Sequence, residues 1–203
     1  MQHPRFLSFG LAATALASSG LFAQETSGPF GLHRGMTQEQ VIQIVGKDAV
    51  KEAKGDVLRL LAVPKSHRAF DEYSLIFSPN DGLLKIIAYG KDIRTNGFGD
   101  AVHDSFVEIR DAISTTYGKP YGTLDSVKEG SIWKEPQDWM MGLLKGERDL
   151  YSLWSKTLPN RISGIMIKAK ALSTEKGYLV LSYEFEGWDE YLDAKQKKAD
   201  SVF

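Results

Sequence analysis

The sequence predicts an α+β fold built as two tandem helix-plus-antiparallel-sheet (αβββ) units packed as one domain. Helix, strand and hairpin signals follow one another twice in the same order. Both candidate helices run into a glycine followed by lysine, first in "IVGKD" and then in "TYGKP". Each unit alone is too small to bury its own sheet face, so the two halves are expected to share a core. The boundaries are 24–99 for the first unit and 100–203 for the second, which also carries a loop insertion and a C-terminal helix.

Residues 1–23 stand apart. Arg5 supplies a positive start, an Ala-rich apolar run follows from Phe6, and small residues precede Ala23, the three-part form of a secretory signal peptide. Ser18, Ser19 and Gly20 interrupt the run, which is too short for about 20 spanning apolar residues. The expectation is a soluble protein in the periplasm or outside the cell, with no transmembrane segment after cleavage. The remaining chain of about 180 residues buries roughly 70% of its unfolded surface and needs no staples. It has none: the chain contains no cysteine, hence no disulfide, thiolate nucleophile or lipid-attachment cysteine.

The first helix is announced by "GMTQEQVIQIVG" at 35–46. Thr37 and Gln40 have the spacing of a capping box, Met36 and Val41 that of a hydrophobic staple, and Gly46 is a left-handed stop. Two turns of helix are unstable alone, so this one must pack on a sheet. "DVLRLLAVP" supplies a strand ended by Pro64. "YSLIFSPNDGLLKIIAYG" reads as a hairpin: Tyr73, Leu75 and Phe77 alternate, "PNDG" turns, and Leu84, Ile86 and Ala88 return.

The second half begins with Asp100 as cap. Val102, Phe106, Ile109, Ile113 and Tyr117 mark one helical face, closed by Gly118. Residues 121–147 read as a loop-rich insertion with a short helix starting at Pro136. "RDLYSLWSK" follows as a strand. In the next hairpin Ile165, Ile167 and Ala169 face Leu179, Leu181, Tyr183 and Phe185, and Trp188 to Phe203 reads as a terminal helix.

The "Gly-Met-Thr" helix start, Val41 and the Gly46 stop, with Ile113, Tyr117, Gly118 and Pro120 in the second half, resemble the exported domains of the β-lactamase inhibitory protein type and the SmpA/OmlA outer-membrane assembly lipoproteins. The tandem arrangement is closer to the inhibitory protein. The resemblance implies a scaffold that binds another protein. It is incomplete, because the lipidated cysteine of the lipoproteins and the disulfides of the inhibitory protein have no counterpart here.

Charge excludes one class of partner: 25 basic against 26 acidic residues leave no basic field for nucleic acid. His33, His67 and His103 occupy separate segments without the close pairing of metal ligands, so neither metal nor cofactor is expected. No nucleophile elbow, phosphate loop or dinucleotide fingerprint is present.

The compositional anomaly is aromatic: Trp133, Trp139, Tyr151 and Trp154 lie close together in sequence, with Arg148 among them. These residue types are enriched at protein interfaces, which makes the five a candidate binding surface. They also suit a cap over the core, with Trp139 and Leu143 on one helix face and Trp154 inward on its strand. The functional expectation is an exported protein-binding module of inhibitor, immunity or envelope-assembly type. The alternatives are a periplasmic hydrolase or a carrier of a small apolar ligand.

Overall fold

Among the described residues nine strands form one antiparallel sheet, and its hydrophobic pattern decides where the four helices go. The computed structural model describes residues 28–200, so the signal-like segment 1–23 and residues 201–203 of the expected terminal helix lie outside the described residues. The strands are β1 Val50–Lys54, β2 Val57–Leu60, β3 Phe70–Ser78, β4 Gly82–Gly90, β5 Ile93–Arg94, β6 Gly122–Val127, β7 Arg148–Trp154, β8 Ile162–Ser173 and β9 Lys176–Phe185. The helices are α1 Gln38–Val45, α2 Asp100–Tyr117, α3 Trp139–Leu144 and α4 Trp188–Asp200. The strand order is β1-β2-β3-β4-β9-β8-β7-β6, with β5 added to β9. The two meanders therefore join through their last strands, and Ile86 pairs with Tyr183 where they meet.

Alternation puts one side of the inner strands into a common core. Leu58, Tyr73, Leu75, Ile86, Ala88, Leu181, Tyr183, Ile165, Ile167 and Trp154 are all buried there. Val41 of α1 and Val102, Phe106, Ile109 and Ile113 of α2 pack on the same side, as do Trp139, Met140 and Leu143 of α3. Phe30 joins the halves by meeting Phe70, Tyr73 and Tyr183 edge-on at 6.0, 5.1 and 5.9 Å, the T-shaped geometry that ring quadrupoles favour.

Local signals explain the helices. Thr37 Oγ1 accepts the Gln40 N–H while the Gln40 side chain accepts the Thr37 N–H, so the capping box forms. Gly46 has φ 84° and ψ 154°, and Gly118 has φ 80° and ψ −177°. This is not the helical left-handed region expected of Gly46 but the extended positive-φ region, essentially reserved for glycine. α2 starts at its expected cap residue, so the cap falls one position earlier: Gly99 is the N-cap at φ 76°, and the Asn96 side chain accepts the Asp100 N–H. A Cβ on Gly99 would lie 2.3 Å from the Trp139 ring, so glycine is required there by packing as well as by φ.

Further departures from expectation lie in the sheet. β1 was not anticipated, and β6 lies in the stretch read as loop-rich insertion. Both are edge strands without a single buried side chain, so neither carries the apolar alternation that announces a half-buried strand. Another is a bulge in β4: Ile76 pairs with Lys85, but the next residue, Phe77, pairs with Leu83. The extra residue turns Leu84 out of the main core, and Leu83 takes the position expected for it.

Candidate functional site

The five aromatic and basic residues singled out by composition do not share one surface. Parity along β7 sends Arg148 and Trp154 to the packed side and Tyr151 to the other. Trp139 and Trp154 are 4% and 2% exposed, too little for a macromolecular partner to touch. The Trp139 ring lies 4.1 Å from that of His103, and Trp154 Nε1 donates to the Gly118 carbonyl at 2.8 Å. Asp125 Oδ1 accepts from Arg148 Nη1 at 3.3 Å and from Trp139 Nε1 at 3.4 Å. Trp133 is half-buried, and its Cβ and that of Arg148 both close on Gly142. Trp133, Trp139 and Arg148 thus form a brace that holds α3 against β6 and β7.

Tyr151 leads to the opposite side of the sheet, which α1, α2 and α3 leave uncovered. Pairing registers order it into rows. The central row runs Arg59, Ser74, Ile87, Ser182, Met166, Leu153 across six strands. Beside it runs Glu72, Tyr89, Val180, Lys168, Tyr151, Leu124. Ile76, Ile87, Tyr89, Tyr151, Met166 and Val180 are half-buried among their neighbours and are not members of the core. Ser74 and Ser182 flank Ile87 and are buried below taller side chains.

The charges on this side neutralise one another. Lys85 pairs with Glu184 at 2.6 Å, Lys51 with Glu72 at 2.6 Å, Lys168 with Asp149 at 2.5 Å and Arg59 with Glu52 at 3.5 Å. The Lys168 ammonium holds the Asp149 carboxyl below its ordinary range. The result is an aliphatic and aromatic centre laced with ion pairs, without a field of either sign.

One end of this side is closed by α4. Trp188 stacks on Tyr191 at 5.5 Å and lies under the Lys85 ammonium at 4.5 Å. Farther along, Tyr191 Oη donates to Asp56 in the β1–β2 turn, and Lys195 Nζ pairs with the same oxygen, both at 2.5 Å. Lys195 and Tyr191 hold the Asp56 carboxyl below its usual range, while burial and the Asp56 contact push the Tyr191 phenol up. Between α4, the start of α1 and the "PNDG" turn runs an open groove of about 1210 Å³, lined by Arg34, Asp56, Asp81, Tyr191 and Lys195 among others. Among the described residues no three His, Asp or Glu side chains gather as metal ligands. No described helix is long and apolar enough to cross a membrane.

The open-side residues Ile87, Tyr89, Met166 and Val180 escape a sequence search for sites because each is the unremarkable alternate of a core residue. Their only signal was that the outward positions of three strands are more apolar than solvent requires. No family model, curated protein or solved structure matches this chain.

Proposed function

We propose that the chain is an exported protein-binding module whose open sheet side meets a macromolecular partner. The observation that carries this reading is the uncovered aliphatic and aromatic surface from Ile76 to Tyr151, whose neighbouring charges are paired within the surface. A contiguous apolar surface with a self-neutralised polar component suits a protein partner better than a polyanion. In this reading the two halves are tandem copies of one unit, a helix closed by glycine and followed by a meander of four strands, back to back across β4 and β9. That arrangement supports the reading of a resemblance to the β-lactamase inhibitory protein type, and with it a role of inhibitor, immunity or envelope-assembly kind.

The groove beside α4 favours neither alternative function. Its lining by Arg34, Asp56, Asp81 and Lys195 is wrong for a small apolar ligand. Asp56, with its carboxyl held low by Lys195 and Tyr191, is a weakened base and is already engaged in anchoring α4.

The test is a photo-crosslinking residue placed at Tyr89, at Met166 and, as control, at Val107 on the exposed side of α2. One partner captured from Tyr89 and Met166 but not from Val107 is expected. Capture from Val107 alone, or from none of the three in the native compartment, would overturn the assignment.

A further inference from the structure

The two edges of the sheet differ in how they are defended against pairing. β1 has the devices that keep an edge single: Lys51 and Lys54, and a bulge between Val50 and Glu52. β6, "GTLDSV", has no Lys, Arg or Pro and runs six residues in unbroken register with β7. Its one charge, Asp125, is turned to the packed side and held by Arg148 and Trp139, so it does not repel a neighbouring strand. Thr123, Leu124 and Asp125 are exposed, Leu124 to 38%.

The free main-chain groups follow from the ladder. The Lys128 N–H donates to the Glu147 carbonyl. Alternation then gives Ser126 with Asp149 and Leu124 with Tyr151 as the pairs that exchange bonds with β7. The amides and carbonyls of Thr123, Asp125 and Val127 point away from it.

We propose that β6 pairs antiparallel with β6 of a second copy of this chain, about a two-fold axis through Leu124. The sequence of the strand is complementary to itself in that register. Leu124 meets Leu124 on the open side, Thr123 and Asp125 exchange main-chain bonds across the axis, and Val127 packs beside Tyr121, which is 67% exposed. The flanking Lys119 and Glu129 come opposite each other with opposite charge. The register centred one residue later sets Leu124 against Ser126 and loses the apolar contact on the axis. A single pair of strands buries less than a standard interface, so the dimer is weak and concentration-dependent. It sets two open sides next to each other in one continuous sheet, making a bivalent surface. The pairing does not depend on the proposed binding function.

Analytical ultracentrifugation over a concentration series tests it. The purified protein should show a reversible monomer–dimer equilibrium. Leu124→Lys and Leu124→Glu should each weaken it by about tenfold or more by placing like charges across the axis, with circular dichroism and melting unchanged. An equimolar mixture of the two variants should restore the dimer. A wild-type protein that stays monomeric throughout overturns the proposal. So does a Leu124→Lys variant that dimerises as tightly as wild type, or a mixture of the two variants that stays monomeric.

Discussion

The two sides of the sheet are made by the same strands, often by adjacent residues, and they differ in what holds them. On the packed side Tyr73, Ile86, Leu181 and Ile167 lie under α1, α2 and α3 and are essentially sealed from water. On the open side Glu72, Ile87, Val180 and Lys168 are shielded only by one another and by their ion pairs. Stability therefore belongs chiefly to the first side, and the second is free to be selected for what it contacts. A fold with a surplus of outward apolar side chains carries them at little cost in its own stability, and mutations should separate the two roles.

The largest effect is expected on the packed side. Phe106, 1% exposed, is the centre of the α2 face, and Phe106→Ala should cost about 3–5 kcal/mol in a urea or guanidinium titration. A cost below about 1 kcal/mol would mean that α2 does not seal the core. Next is Trp154→Phe, which keeps most of the ring but leaves the Gly118 carbonyl without its 2.8 Å donor, for a loss of about 1–2 kcal/mol. Equal stability of the variant would show that this bond does not tie the end of α2 to β7.

Crossing to the open side, Met166→Ala should cost no more than about 1 kcal/mol, because the side chain already shares its surface with water. The same variant should lose partner capture, so that a folded, equally stable protein with undiminished capture would break the comparison. The smallest effect is expected at the α4 anchor. Asp56→Asn should cost roughly 0.3 kcal/mol at neutral pH, since the ion pair to Lys195 is half in solvent. The Asp56 carboxyl is lowered on folding, so its contribution is complete above the ordinary carboxylate value of about 3.9 and is lost as pH falls through the lower folded value. Melting temperatures of wild type and Asp56→Asn should accordingly differ by a constant amount above about pH 5 and converge in stronger acid. A gap that widens in acid would reverse the sign and remove Asp56 as an anchor.

The sequence by itself determined the α+β class, the extents of α1 and α2 to within a residue, and the hairpins of β3–β4 and β8–β9. Those rest on signals confined to a few neighbouring residues: the Thr37–Gln40 box, the Gly46 and Gly118 stops, and the alternation from Tyr73 and from Ile165. β1 and β6 were not legible because an edge strand is defined by its partner and not by its own burial. The bulge that exchanges Leu83 for Leu84 was equally hidden, since one extra residue reverses every later side chain without changing composition.

The candidate site was legible least. Proximity in sequence grouped Trp133, Trp139, Arg148, Tyr151 and Trp154. Strand parity then sent Tyr151 to one side and Arg148 and Trp154 to the other, and α3 folded Trp139 inward. Only tertiary structure decided which half of each alternating pattern would be covered. Burial belongs to the side on which helices pack, and that choice is made by residues distant in the chain.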